Sequence, residues 1–271
     1  MIDTGTSELL ASNDEGVLTL TLNRPDARNA MTGDMTGALR QQLATAEFDP
    51  DVKCIVLTGA GKGFCAGGDV KGMAARGDGT IGDNTIDGAI HRQRVNQRET
   101  AGKLFKMPKP TIAALPGAAA GAGLSLALAC DLRIMASQAI LTTAFARVGF
   151  SGDYGGTYFL TQLVGSAKAR ELYFLSERVS ADEALALGLT NWVCEPEQLN
   201  ARTNQIARRL AQGPTVAYRY MKENLNRAMN GEIDECLDLE ATHHVHCGQT
   251  QDHREAAQAF VDKREPVFTG R

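Results

Sequence analysis

CIVLTGAGKGFCAGGDVKGM, residues 54–73, leads from an apolar run into a glycine-rich loop. The first part, CIVLTG, is continuously apolar and ends in glycine, a pattern typical of a buried strand in a parallel sheet. A second stretch, TIAALPGAAAGAGLSLALAC (residues 111–130), again has an apolar run followed by a glycine-rich loop. Its last part consists of small residues that suit a buried helix. This recurrence predicts an α/β fold.

The rest of the sequence predicts two further strands and a helical C-terminal third. VLTLTLN (residues 17–23) alternates apolar and polar residues with the period of a half-buried strand, and DLRIMA (residues 131–136) is another largely apolar run. Beyond about residue 161 the signals are helical. Ser180 and Glu183 have the spacing of a capping box, Gly213-Pro214 breaks a helix, and a last helix is expected over residues 251–263.

The composition argues against several classes of protein. Of the 271 residues, 43% are hydrophobic and 22% are charged, as in an ordinary globular domain, and the formal net charge is -4. That charge gives no reason to expect a nucleic-acid partner or an anionic membrane surface, and no apolar run reaches the roughly 18 residues of a membrane span. The six cysteines contain no CxxC pair, so we expect reduced thiols and a cytoplasmic protein.

One histidine-rich segment superficially resembles a metal site. His243, His246 and Cys247 fall on one face of a predicted helix. A packing or subunit-contact face explains this spacing better than a metal site does, so we expect no metal in this protein.

The glycines of residues 58–73 admit two functional interpretations. Gly61, Gly63 and Ala66 match GxGxxA, which suggests a dinucleotide-binding loop, but the next segment is too rich in glycine for the long helix that holds a pyrophosphate. Alternatively, this loop and the loop at residues 121–123 each expose a backbone amide before a helix. Two such amides converging on one oxygen form an oxyanion hole. Tight packing alone also accounts for both loops.

Five motifs, in this order, resemble the enoyl-CoA hydratase/isomerase (crotonase) family: LNRPDARNAM, IVLTGAGKGFCAGGDVKGM, PTIAALPGAAAGAGLSLALACDLRIMA, VGFSGDYGGT and AFVDKREPVF. The resemblance covers nearly the whole chain. It implies a ββα superhelical core over residues 1–195 that binds acyl-CoA and carries catalysis, and a helical region over residues 196–271 for trimerisation and CoA contact. It also implies a coenzyme A thioester as substrate, no permanently bound cofactor, and a homotrimer or a dimer of trimers.

The same resemblance assigns residues to the site. The two oxyanion-hole amides fall on Gly68 and Ala122, which would polarise the thioester carbonyl. Coenzyme A is implied to lie along two segments of the core and to meet the C-terminal helix of a neighbouring subunit. The matching positions are Ala27, Arg28, Ala66, Gly67, Asp69, Val70, Phe260 and Lys263.

The catalytic acids depart from the hydratase pattern. The two positions at which the family's hydratases carry glutamates are Ser125 and Phe145 here, and neither acts as a carboxylate does in proton transfer. Asp153 falls where isomerases of the family, including those of the phenylacetate pathway, hold a catalytic aspartate. One carboxylate suffices to shift a double bond, and burial in an apolar pocket raises the pKa of such a group toward a useful value.

The resemblance therefore implies an isomerase, and four alternatives stay open. A hydratase could use other acid and base groups, and Asp153 could act as a nucleophile in a hydrolase or dehalogenase. The chain could also be a non-catalytic acyl-CoA-binding protein. Finally, Asp153 precedes two glycines, and aspartate at such a position often serves only the turn.

Overall fold

Two β-sheets form the centre of the molecule. The computed structural model describes residues 1–75 and 85–271. The larger sheet has the order β1-β2-β3-β5-β7-β10 and is parallel except for β1, and the smaller has the order β4-β6-β8-β9 and is parallel except for β9. The strands are β1 (Leu9–Asp14), β2 (Val17–Leu22), β3 (Cys54–Gly59), β4 (Gly63–Cys65), β5 (Thr111–Leu115), β6 (Ala118–Ala120), β7 (Leu132–Ala136), β8 (Ile140–Thr142), β9 (Val179–Ser180) and β10 (Trp192–Cys194).

The chain passes alternately between the two sheets. Each of β3, β5 and β7 in the larger sheet is followed directly by a strand of the smaller sheet, namely β4, β6 and β8. Helices connect one such strand pair to the next, so the repeating unit is ββα. The predicted α/β class, the superhelical core and the strands at residues 54–59, 111–115 and 131–136 are therefore confirmed, the last beginning one residue later than expected.

Helices surround this core and form the C-terminal part of the chain. They are α1 (Gly33–Phe48), α2 (Val70–Ala75), α3 (Ile86–Glu99), α4 (Ala101–Lys106), α5 (Ala122–Ala129), α6 (Gly156–Leu175), α7 (Ala181–Ala186), α8 (Leu199–Ala211), α9 (Thr215–Ala228), α10 (Ile233–Cys247) and α11 (Gln251–Asp262). The Ser180 hydroxyl accepts a hydrogen bond from the Glu183 amide, which confirms the expected start of α7. The gap between α8 and α9 confirms the break at Gly213-Pro214.

The buried helix α5 packs closely against the end of β4. Its sequence, AGLSLALA, carries no long polar side chain, and every residue in it is buried. A Cβ on Gly123 would lie 2.4 Å from the carbonyl oxygen of Cys65, so only glycine allows α5 to approach the end of β4 this closely. Two loops that are far apart in sequence are thereby held side by side.

The C-terminal helices attach to the core through a few specific contacts. α8 buries Leu199, Ala207 and Ala211 against the larger sheet. In α9, the buried Lys222 ammonium lies 2.8 Å from both the Leu104 carbonyl oxygen and an Asp131 carboxylate oxygen.

The outer faces of these helices remain strongly apolar. Several large side chains of the C-terminal helices are more than half exposed, among them Met221, Leu225, Ile233, Leu237, Val245 and Phe260. Within the described ranges, no helix is long and apolar enough to cross a membrane.

Candidate active site

The two glycine-rich loops meet at the ends of parallel strands. Gly68 lies just beyond β4, Ala122 is the first residue of α5 just beyond β6, and β4 pairs with β6 in the smaller sheet. Gly67 has a φ of +91°, and a Cβ there would lie 2.9 Å from the Ala120 carbonyl oxygen and 3.4 Å from the Ala122 nitrogen. Glycine at this position therefore brings the first loop against the start of α5.

Both predicted oxyanion-hole amides have an unused hydrogen. Neither Gly68 N–H nor Ala122 N–H donates a hydrogen bond in the part of the chain that the structure describes. For Ala122 the reason is its place in the first turn of a helix, where the backbone amides have no intrahelical acceptor. For Gly68 the reason is the pairing of its loop with Met31. The Met31 amide donates to the Gly67 carbonyl oxygen, and the Asp69 amide donates to the Met31 carbonyl oxygen, so the Gly68 amide between them takes no part.

The predicted acid opens into the same cavity as the two amides. A cavity of about 260 Å³ is lined by Gly68, Ala122 and Asp153, together with residues of α1 and α3. Asp153 lies in a tight loop in which Gly152, Tyr154 and Gly155 all have positive φ, at +112°, +50° and +78°. A positive φ strains the backbone of Tyr154, which is not glycine, so contacts with the surrounding residues must stabilise this loop conformation.

Main-chain bonds hold this loop, and the Asp153 carboxylate does not. The Tyr154 amide donates to the Gln97 side chain at 2.6 Å, and the Gly156 amide donates to the Asp153 carbonyl oxygen at 3.1 Å. The carboxylate oxygen Oδ1 is buried and finds no hydrogen-bond partner among the described residues. The side chain is thus not occupied by the turn-stabilising role that sequence alone left open.

Burial changes the proton affinity of this acid. Loss of hydration disfavours the charged carboxylate and raises the pKa of Asp153 from 3.8 to about 6. A carboxyl group with this pKa is still ionised near neutral pH, and it can hold a proton transiently. It therefore suits a group that accepts a proton and returns it.

In the described part of the chain, neither the two positions of the hydratase glutamates nor Asp69 supplies a second proton carrier. Ser125 is buried and its hydroxyl donates to the Gly121 carbonyl oxygen at 3.2 Å. Phe145 is buried and stacks on Tyr173 with ring centroids 5.8 Å apart. Asp69 lines the cavity but pairs with Arg24 at 3.2 Å and accepts from the Gly72 amide at 3.0 Å. That carboxylate anchors its loop and the start of α2.

Six of the residues matched to coenzyme A lie on two neighbouring segments, one of which also lines this cavity. Ala27 and Arg28 form a short helical turn whose end is joined to the next loop, because the Ala66 amide donates to the Arg28 carbonyl oxygen at 3.0 Å. Val70 begins α2, and Arg28, Ala66 and Val70 are exposed beside the loop. A main-chain hydrogen bond therefore joins the segment at residues 27–28 to the segment at residues 66–70, and together they form an accessible surface.

The two C-terminal candidates lie elsewhere on the chain. Phe260 is 85% exposed near the end of α11, and Lys263, also exposed, caps that helix in a left-handed conformation. Neither residue lines the cavity that holds Asp153. The prediction for Phe260 and Lys263 is that they contact the coenzyme A bound to a neighbouring subunit.

Two residues that hold the site, Asn29 and Gln97, were absent from the sequence-based prediction. Buried Asn29 donates to the carbonyl oxygens of Ala60 and Gly63 and so holds the first loop. Gln97 fixes the Asp153 loop from α3. Tyr154 lines both the cavity that contains Asp153 and a larger one of about 760 Å³. Only Asn29, inside a conspicuous motif, carried a local signal in the sequence.

The larger cavity has both charged and aromatic side chains in its lining. Its lining comes from α3, α4, α6 and the C-terminal helices and includes the aromatic cluster Phe105, Tyr158 and Phe159. These rings pack edge to face, with centroids 5.3–6.0 Å apart. This aromatic part of the lining offers a surface for an apolar group.

The histidine-rich segment of α10 forms a packed aromatic contact. His243 stacks on Tyr220 with ring centroids 4.2 Å apart, and His246 meets the edge of the same ring at 5.3 Å. Among residues 1–75 and 85–271, no group of three or more His, Cys, Asp or Glu side chains is arranged to hold a metal ion.

Comparison with known proteins gives one consistent set of relatives. The family model described as enoyl-CoA hydratase/isomerase matches residues 12–271. The chain is 37% identical to the 1,2-epoxyphenylacetyl-CoA isomerase of Escherichia coli K12 (97% of this chain, 98% of that one) and 34% identical to the short-chain-enoyl-CoA hydratase of Clostridium acetobutylicum (96% of each). A crystal structure of an enoyl-CoA hydratase from Polaromonas sp. JS666 superposes with a TM-score of 0.89 at 32% identity, covering 96% of this chain and 99% of that one.

Proposed function

The chain belongs to the enoyl-CoA hydratase/isomerase family, and from that premise we propose that it is an acyl-CoA isomerase. Its substrate is a 3-enoyl-CoA thioester, and its product is the conjugated 2-enoyl-CoA. The observation that carries this proposal is the single cavity lined by Asp153 and by the loops that bear the Gly68 and Ala122 amides. Membership of the family supports a CoA thioester as the substrate. The choice of isomerisation over the family's other reactions rests on Asp153, whose carboxylate oxygen Oδ1 has no partner among the described residues.

In the proposed reaction the backbone amides stabilise charge, and the Asp153 carboxylate transfers the proton. The amides of Gly68 and Ala122 donate to the thioester oxygen, and the ionised Asp153 carboxylate removes a proton from C2. The C2–H electron pair moves toward the carbonyl and leaves a dienolate, whose oxygen carries the charge that the two amides stabilise. Asp153, now neutral, returns the proton to C4, and the remaining double bond lies between C2 and C3. No atom is gained or lost.

The environment of Asp153 supports this assignment over a purely structural one. Its Oδ1 has no partner in the described chain, and burial holds its pKa at about 6. A general base is most effective when its pKa lies near the working pH. The absence of carboxylates at Ser125 and Phe145 favours a one-acid reaction over hydration, which normally uses two positioned acid and base groups.

The direct test is the substitution Asp153→Asn. It should lower the rate of conversion of a 3-enoyl-CoA to the conjugated product by about 10²–10⁴-fold, the usual contribution of a positioned acid or base, while acyl-CoA binding survives. Asp182→Asn is the matched control, because Asp182 is an exposed acid in the first turn of α7. Unchanged turnover in the Asp153→Asn protein would remove the assignment.

The relatives named as hydratases make hydration the second candidate. Incubating the wild-type protein with crotonyl-CoA distinguishes the two reactions, because hydration removes the conjugated absorbance and isomerisation does not. A covalent ester trapped at Asp153 would instead indicate a nucleophilic role. Tight acyl-CoA binding without turnover of any thioester would indicate a non-catalytic protein.

We further propose that residues 196–271 mediate assembly into a homotrimer or a dimer of trimers. The exposed apolar side chains of α9, α10 and α11 support this, since a patch of this kind marks an interaction surface. In such an assembly Phe260 and Lys263 contact coenzyme A of a neighbouring subunit, while Ala27, Arg28, Ala66, Gly67, Asp69 and Val70 contact the coenzyme of their own. The six unpaired cysteines support a cytoplasmic location.

A further inference from the structure

Tyr173 of α6 packs closely behind the loop that carries Asp153. Its ring stacks on Phe145 with an interplanar angle of 15°. A Cβ on Gly152 would lie 3.0 Å from the Tyr173 ring and 3.3 Å from its hydroxyl oxygen, and a Cβ on Gly156 would lie 2.6 Å from that oxygen. Glycine at both positions therefore lets the phenol reach the backbone on either side of Asp153.

The hydroxyl of Tyr173 is buried and unused. Like Asp153 Oδ1, this oxygen has no hydrogen-bond partner in the described part of the chain. A phenol hydroxyl is a donor and an ionised carboxylate is only an acceptor, so the two groups are complementary. Buried polar atoms in native proteins are almost always paired, and two complementary unpaired ones flanking a single loop require an explanation.

Several groups face Asp153 from the elements packed around it. Three titratable side chains interact electrostatically with it: Cys65 from β4, Tyr154 from its own loop and Tyr173 from α6. The Cys65 thiol interacts with the Gly67 backbone, and the Tyr154 hydroxyl interacts with Thr36. Asp69, across the cavity, is paired with Arg24. Of these groups, Tyr173 combines a buried, unpaired hydroxyl with a ring that packs against the glycines on both sides of Asp153.

We propose that Tyr173 is a positioning residue whose hydroxyl donates to the ionised Asp153 carboxylate, directly after a small rotation of the side chain or through one water molecule. The inference rests on the proposed function, because it assigns a partner to the proton carrier. A donor on one carboxylate oxygen fixes the plane of the group. The other oxygen then faces the substrate carbons and carries the proton from C2 to C4.

The bond also opposes the effect of burial. Loss of hydration disfavours the charged carboxylate, whereas a hydrogen bond to the charged form favours it. Removing the hydroxyl should therefore raise the pKa of Asp153 further above its ordinary value. A purely structural role for the Tyr173 ring predicts no such change.

The test compares Tyr173→Phe with the wild type, and Tyr218→Phe is the matched control. Tyr218 also packs on a glycine, Gly213, but lies in α9, outside the catalytic cavity. The acidic limb of kcat/KM should move up by about one pH unit in Tyr173→Phe, so activity near pH 5 falls about tenfold more than activity near pH 8. A uniform loss at every pH, with the limb in place, would overturn the proposal.

A second measurement separates this inference from the proposed function. Carbon-13 NMR of aspartate-labelled protein, with the Asp153→Asn spectrum subtracted, follows the titration of Asp153 without any turnover. The same upward shift should appear in Tyr173→Phe and, in smaller size, in Phe145→Leu, which removes the ring that stacks on Tyr173. If neither variant shifts the titration, Tyr173 does not bind the carboxylate. If the titration shifts but no isomerisation occurs, only the proposed reaction fails.

Discussion

Replacing Asp153 by Asn should stabilise the folded protein at alkaline pH while it removes activity. In the folded state the pKa of this carboxyl is about 6, compared with an ordinary value of 3.8. The folded state therefore binds the proton more tightly than the unfolded chain does. The stability that this proton contributes is complete below about pH 3.8, and it is lost as the pH rises through about 6.

The size of the effect follows from the same shift. The difference of about two pKa units, at about 1.4 kcal/mol per unit, corresponds to about 3 kcal/mol at pH values above 6. Because the side chain is only partly buried, solvent screening lowers this figure, and about 2 kcal/mol is the working expectation. The asparagine side chain carries no charge, so the variant avoids this cost of burying a carboxylate.

Urea unfolding at about pH 8 and about pH 4, at one fixed protein concentration, measures this directly. The Asp153→Asn protein should be more stable than the wild type at the higher pH by about 2 kcal/mol, and the gap should narrow to near zero at the lower pH. Equal stabilities at the higher pH would refute the claim that burial raises the pKa of this carboxyl group. A gap that grows on acidification would show the opposite sign of shift.

Four further predictions concern the site, the pH dependence and the C-terminal helices. Ala122→Pro removes one oxyanion-hole amide, at a helix position that tolerates proline. The kcat should fall about 10²–10³-fold with little change in Tm, and an unchanged kcat would contradict the role of that amide. The wild-type kcat/KM should fall tenfold per unit below about pH 6, as Asp153 takes up its proton, and a flat profile would exclude it as the base. Lys222→Met leaves Asp131 without its buried cation and should cost about 3–5 kcal/mol in urea unfolding, whereas a loss below about 1 kcal/mol would show that the pair is not needed. Leu225→Glu places a charge in the exposed apolar surface of α9 and should shift sedimentation toward monomers, and an unchanged oligomer would exclude this surface from assembly.

The sequence predicted those parts of the fold that local pattern controls. Continuous apolar runs marked β3 and β5, Ser180 marked the start of α7, and Gly213-Pro214 marked the end of a helix. These features depend on residues close together in the chain, so a single sequence contains them. The glycine-rich loops were also visible, because close backbone approach leaves glycine as the residue that fits.

The side chains that surround Asp153 could not be predicted in this way. Tyr173 and Gln97 reach the Asp153 loop from α6 and α3, and nothing in either helix sequence distinguishes these residues from ordinary amphipathic positions. Their proximity is a product of tertiary packing around α5. The unpaired state of the Asp153 carboxylate is likewise visible only in three dimensions, since the sequence equally suited a turn.

A crystal structure of the Asp153→Asn protein with a 3-enoyl-CoA bound tests the central claim most directly. The account predicts the thioester oxygen at about 3 Å from both the Gly68 and the Ala122 nitrogens. It also predicts the side chain at position 153 at about 3–3.5 Å from C2 and near C4 of the acyl group. A thioester oxygen bound by neither amide, or a side chain at position 153 turned away from both carbons, would contradict it.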